Sequence, residues 1–249
     1  MLMYQISLVI LILGGALIGY LFGSIIFAII ISKTFTKSDI RTKGSNNPGF
    51  TNSIRVYGTK IAIIVLILDI LKAIIPTLIF YFIYQFALYK YCSNYVTDFY
   101  DPKIFIYIPG IFTVIGHIFP FYFKFKGGKG VATYGGLCIC LSPFIALIGI
   151  LIIIIVVLTT KKMSIGSLLS SIVIPFLILV PGINYLYLMN FDLVFFIEKI
   201  NSLIVKLLPL FGMLLFLSLL VIYSHRENIK KIINKTENNV FEKKEKLIK

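Results

Sequence analysis

The side chains able to do chemistry fall into a few short segments. The first, Arg41-Thr-Lys-Gly-Ser45-Asn-Asn47-Pro-Gly49-Phe-Thr51-Asn52-Ser-Ile-Arg55, mixes cations with glycines and small hydrogen-bonding groups. Such a segment can wrap an anion with side chains and backbone N–H groups, although solvated loops share that composition. The second, Gly127-Gly128-Lys129-Gly130, opens an apolar run. Glycines there admit a ligand close to the backbone, a helix N-terminus offers free N–H groups, and Lys129 adds a full charge. That is phosphate chemistry, but not a Walker A loop, because no Ser or Thr follows the lysine. A basic turn is the plainer reading. A third segment holds Ser164 and Ser167. In the fourth, His225 and Asn228 are spaced i,i+3 and share a face if the helix continues; a capping or interfacial histidine competes with a functional one. The other histidine, His117, has apolar neighbours on both sides and reads as a buried structural group. Asp69 and Lys72 lie inside an apolar run and read as an internal ion pair, since intramembrane charges are costly and usually paired.

The elements that must position these groups are apolar. Of 249 residues, 59% are hydrophobic and 14% charged, with a mean hydropathy of +0.98. Soluble domains are about 45–50% apolar and about 25% charged, so a disordered chain and a soluble globular enzyme are both set aside. Seven runs follow one another: 6–31, 61–88, 104–123, 131–141, 144–158, 165–180 and 200–223, with the fourth short for a span and Pro143 turning the chain into the fifth. The expected fold is an all-α integral membrane protein of seven transmembrane helices. Residues 1–249 then form one transmembrane domain ending in a charged tail, 224–249.

Charge orients the helices. The net charge is +14, from 24 Lys and Arg against 10 Asp and Glu. If the runs alternate, 19 of the 24 cations fall on one side. Cations prefer the cytoplasmic side, which puts the N-terminus outside and the C-terminus in the cytoplasm. Topology therefore accounts for the basic balance, and no basic face interleaved with exposed aromatics points to nucleic acid. All four polar segments fall on the same cytoplasmic face, as one anion-binding cleft would require. Three cysteines in no ligand spacing suggest neither a disulfide framework nor zinc. No metal ligand cluster is evident and no cofactor is expected.

Several segments in order resemble the bacterial acyl-phosphate:glycerol-3-phosphate acyltransferases, the PlsY family. They are Gly23-Ser24, Asp39-Ile-Arg41 with Gly44-Ser45-Asn-Asn47-Pro-Gly49, Thr51-Asn52 with Arg55, and Leu68-Asp69 with Lys72. Gly116-His117, Lys126 to Ala132, Ser164 with Ser167, His225 to Asn228 and Thr236-Glu237 complete the set. The resemblance implies a seven-span bacterial inner-membrane enzyme with its site facing the cytoplasm. It would transfer a fatty acyl group from a long-chain acyl phosphate to the 1-hydroxyl of glycerol 3-phosphate. The products are lysophosphatidate and phosphate, at the start of phospholipid synthesis. Membrane lipids surround it, and a single chain is expected to suffice. Carried over by motif, Ser45, Arg55, Lys129, His225 and Asn228 would surround the glycerol 3-phosphate. Gly127, Gly128 and Gly130 would form a phosphate loop at the acyl-phosphate end. Arg41, Asn47, Thr51, Asn52, Ser164 and Ser167 would add substrate contacts, and a substrate phosphate would take the proton in place of a protein base.

The chain departs from the family pattern at Asn46, Phe50 and Ala73, and its 181–199 segment is longer than usual. The main rival is a membrane transporter of anions or phosphate esters. Such a protein more often carries interrupted spans at mid-membrane in two related halves, and no internal repeat is visible here.

Overall fold

The structure is a computed structural model that describes residues 2–88, 102–180 and 193–240. Their regular structure is all helical, without a strand. Ten α-helices run α1 Leu2–Gly23, α2 Phe27–Thr36, α3 Phe50–Tyr57, α4 Thr59–Ile83, α5 Ile108–Ile118, α6 Val131–Leu141, α7 Pro143–Thr160, α8 Met163–Leu177, α9 Leu193–Ser224 and α10 Arg226–Ile233. Five segments are long and apolar enough to cross a bilayer: Gln5–Thr36, Thr59–Ala87, Ile104–Phe123, Pro143–Thr160 and Leu207–Ser224. The two remaining apolar runs form α6 and α8, helices of 11 and 15 residues, below the roughly 20 that a full span needs. Cys92 and most of the long 181–199 segment lie outside the described residues.

The outward faces of the long helices are apolar. Ile10, Leu13, Leu17, Ile64, Ile67, Leu147, Ile155 and Leu158 are exposed, a band that water would not tolerate and lipid solvates. Inside, Val114, Leu137, Cys138, Ile145, Leu214, Leu217 and Val221 join α5, α6, α7 and α9 in one core. Polar side chains stitch the same region: Ser218 Oγ donates to the Ser171 carbonyl and lies 3.3 Å from the Tyr134 hydroxyl.

The first apolar run is not one continuous helix. It breaks after Gly23, and Ile26 is extended at φ −97°, ψ 95°. A continuous helix would bury the Gly23 and Ile25 carbonyls in its own ladder. Here both accept instead from the Lys72 ammonium of α4, at 3.2 and 3.0 Å. In a bilayer such freed carbonyls need a protein partner, and the buried lysine supplies it. The expected ion pair is present, with Lys72 Nζ 3.0 Å from Asp69 Oδ1.

Backbone contact fixes α1 against α5. Gly19 and Gly23 are one turn apart, and a Cβ at either would overlap the carbonyl of Pro109 or of Thr113. Small residues at this spacing let two membrane helices approach closely. Thr113 Oγ1 donates to the Gly19 carbonyl at 3.0 Å, and Tyr20 reaches the Phe119 carbonyl at 2.8 Å. Gly23→Ala is therefore expected to destabilise the fold by about 1–3 kcal/mol through overpacking, read as a lower melting temperature in detergent. Gly212→Ala, where a Cβ meets no atom within 4 Å, should leave it unchanged.

Candidate functional site

Helix N-termini are what the fold brings together at one end of the molecule. Gly49, Phe50 and Thr51 begin α3, Gly130, Val131 and Ala132 begin α6, and Met163 and Ser164 begin α8; all of them line one cavity of about 490 Å³. Each N-terminus leaves backbone N–H groups without an intrahelical partner and carries partial positive charge. The α6 start depends on Gly130, whose φ of +82° is a left-handed value open to glycine.

Side chains add full charges to that wall. Arg55 of α3 and Lys129 of the glycine loop line the cavity with Lys231 of α10. The Arg55 side chain makes no hydrogen bond or ion pair among the described residues. Lys129 is pushed down to about 8, mainly by burial, with Glu237 opposing the shift and Lys231 and Arg55 adding to it. Glu237 belongs to a strap after α10, tied at Val240 N–H to the Lys161 carbonyl at 2.9 Å. Its Oε1 accepts from Asn228 Nδ2 at 3.2 Å.

His225 sits at the α9–α10 junction and is buried. Burial first, and Lys129 second, hold its pKa down to about 4, so the ring is neutral near pH 7. Nδ1 lies 2.8 Å from the Val221 carbonyl and must be the protonated nitrogen, since a carbonyl only accepts. Nε2 is then the acceptor and takes the Ser167 hydroxyl at 3.2 Å. Asn228 Nδ2 donates to Ser164 Oγ at 2.5 Å. The helix bends at His225, yet the i,i+3 pair still reaches one cavity and meets the Ser164–Ser167 pair there.

Beyond the polar end the same cavity becomes an apolar trough. Leu66 and Ile70 of α4, Gly135 and Ile139 of α6, and Ile150, Ile153 and Ile154 of α7 form its walls. A Cβ at Gly135 would meet nothing within 4 Å, so the glycine keeps the trough open.

Of the residues singled out by sequence, Ser45, Asn47, Thr51, Arg55, Lys129, Gly130, Ser164, Ser167, His225 and Asn228 lie on this wall. Arg41, Asn52, Gly127 and Gly128 do not, and each has a structural task. Asp39 pairs with Arg41 at 2.8 Å, and this hydrogen bond holds the Asp39 carboxyl below its ordinary range. The Arg41 guanidinium then ties the glycine loop, donating to the Phe123 and Lys126 carbonyls at 3.1 Å each. Asn52 is buried and pins its own loop: its Oδ1 accepts from Ser45 N–H at 2.8 Å and its Nδ2 donates to the Lys43 carbonyl at 3.0 Å. Gly127 and Gly128 pack on the His117 carbonyl and ring, where a Cβ would overlap them. Sequence reading missed Lys231, Asn238 and the strap, whose signal was Thr236-Glu237. It also gave Asp69 and His117 no place on the wall, although both line it.

Fold and site together define a helical membrane protein with a cationic cleft that opens into an apolar trough. A model of the glycerol-3-phosphate acyltransferases matches residues 13–235, and the chain belongs to that family. A glycerol-3-phosphate acyltransferase of Ureaplasma urealyticum serovar 10 is 41% identical over 225 residues, covering 90% of this chain and 88% of the relative. That of Mycoplasma pneumoniae is 38% identical over 236 residues, covering 94% and 96%. Two crystal structures of PlsY, an integral membrane glycerol 3-phosphate acyltransferase, are similar at 29% identity. Its glycerol 3-phosphate form gives a TM-score of 0.66 and its lysophosphatidic acid form 0.67, each covering 91% of this chain and 94% of PlsY.

Support and contact should separate on mutation. Arg55→Ala is expected to cut activity by at least about 100-fold, through lost charge-assisted contacts, with an unchanged melting temperature. Arg41→Ala should lower the melting temperature, because two loop carbonyls lose their donor.

Proposed function

We propose that this chain transfers a fatty acyl group from a long-chain acyl phosphate to the 1-hydroxyl of glycerol 3-phosphate, releasing lysophosphatidate and phosphate. One observation carries the reading: cations and three helix N-termini share a single cavity with an apolar trough. That cavity suits a substrate with an anionic head and a long hydrocarbon tail beside a small phosphate ester. The comparisons support glycerol 3-phosphate as acceptor. The acyl-phosphate donor is what the resemblance to the PlsY family implies, and a cationic glycine loop beside an apolar trough is compatible with it.

An acyl phosphate is a mixed anhydride whose leaving group is phosphate, so positioning and charge stabilisation suffice for catalysis. Glycerol 3-phosphate sits with its phosphate against Ser45, Arg55, Lys129, His225 and Asn228, and Asn47, Thr51, Ser164 and Ser167 add hydrogen bonds. The donor phosphate lies at the α6 N-terminus, with the acyl chain in the trough. The glycerol oxygen bonds to the acyl carbon, the C–O bond to phosphate breaks, and the proton of the hydroxyl passes to a phosphate oxygen. No metal or cofactor enters. The chain works as a monomeric domain of seven spans, two of them the short helices α6 and α8, in the bacterial inner membrane, N-terminus outside, with the cleft and tail on the cytoplasmic side.

Purified protein given long-chain acyl phosphate and glycerol 3-phosphate should form lysophosphatidate. A yield no higher than that from membranes lacking the protein overturns the reading. Lys129 sets a pH limit. It binds phosphate as a cation, and its pKa in the empty site is about 8, so kcat/KM should fall as pH rises through about 8. Lys129→Arg should move that limb to higher pH, because a guanidinium stays charged. In the trough, Gly135→Leu should shift preference toward shorter acyl chains, read from kcat/KM across a chain-length series.

A further inference from the structure

Two histidines are present, and the cleft described so far uses one. The other, His117, is buried at the end of α5, in a contact set that fixes its protonation. Lys72 Nζ lies 2.6 Å from His117 Nδ1. An ammonium only donates, so Nδ1 must accept and the proton of the neutral ring must sit on Nε2. The nearest carboxylate oxygen, Asp69 Oδ1, is 3.5 Å from Nδ1 and forms an ion pair with Lys72. The ring is neutral, with one free donor.

The direction of that donor is set by the glycine loop. Gly128 N–H donates to the His117 carbonyl at 3.0 Å, and the Cα of Gly128 rests against His117 Nε2 so closely that a Cβ there would overlap it. His117 also lines the cavity, while its described side-chain contacts, to Lys72 and Asp69, run through Nδ1. Nε2 therefore faces the glycine loop, on a side chain that lines the cleft.

We infer that His117 Nε2–H is a direct hydrogen-bond donor to a phosphate held at the glycine loop, with Lys72 fixing the tautomer that makes it one. Its assignment to the donor substrate's phosphate rests on the reading proposed above. Lys72 and Asp69 act through the ring and are positioning residues. The two histidines are opposites: His225 keeps its proton on Nδ1, while His117 keeps its own on Nε2.

The tautomer is tested in the wild-type protein. Ring nitrogen NMR of 15N-histidine-labelled enzyme at pH 7 should show one Nε2–H and one Nδ1–H neutral ring. Inorganic phosphate should shift the Nε2–H resonance. Two Nδ1–H rings, a charged His117, or an Nε2–H resonance unmoved by saturating phosphate overturns the inference. This arm needs no acyl transfer, so failure of the acyl-phosphate reading leaves it interpretable. Kinetics give the second arm. His117→Asn keeps an acceptor near Nδ1 and loses the Nε2 donor; His117→Gln restores a donor near Nε2. The first should raise KM for acyl phosphate about 10-fold or more, as loss of a hydrogen bond to a charged group does, with KM for glycerol 3-phosphate within about 2-fold of wild type. The second should recover most of that loss. Equal losses in both variants, or a fall in melting temperature and kcat with no KM split, would assign His117 a packing role only.

Discussion

Everything at the polar end of this protein hangs on where one ammonium is buried. Lys72 Nζ has Asp69 Oδ1, His117 Nδ1 and the carbonyls of Gly23 and Ile25 all within 3.2 Å. An ammonium has three protons, and the two carbonyls and His117 Nδ1 take all three, while Asp69 Oδ1 is held as an ion pair without a hydrogen bond. Lys72 is thus a fixed structural node with nothing left for a ligand. Removing it would strand a buried carboxylate and two carbonyls away from water, and a broken buried ion pair is far more costly than an absent one. The node joins the α1–α2 break to α4 and to the end of α5. From α5 the chain runs directly into the glycine loop, so the position of Lys129 and Gly130 follows from a lysine far away in sequence.

That dependence explains what could be read from the chain and what could not. Hydropathy registered the apolar runs but not the interruption at Gly23, because Ser24-Ile25-Ile26 is as compatible with a continuous span as with a break. The cause of the break is a side chain about fifty residues later. Within one loop, Arg41 and Arg55 have the same chemistry and neighbours of similar type. Asp39, two residues from Arg41, claims the first as a clasp, and only Arg55 is left facing the cleft. Asn52 is likewise diverted by two backbone groups of its own loop. His225 and Asn228 were legible because helical spacing puts them on one face, and Ser164 and Ser167 because they fall on the same membrane side and match the family motif. The strap carrying Glu237 was not, since a charged tail has the composition of solvated chain whether or not it folds back.

The electrostatics of the cleft fit an enzyme that brings two phosphates together. Much of the positive potential comes from helix N-termini, which cannot reorient or be neutralised by a change of pH. Mobile charge is limited to Arg55, Lys129 and Lys231, and Glu237 offsets part of it while the site is empty. Among the lining groups, Glu237 keeps one buried carboxylate oxygen without a hydrogen-bond partner. The His225 acceptor nitrogen is engaged by Ser167, the other Glu237 oxygen by Asn228, and His117 presents a donor. A phosphate monoester, with a second pKa of about 6, is the most basic oxygen the reacting hydroxyl would meet. On the proposed reading the substrate's own phosphate oxygen accepts that proton.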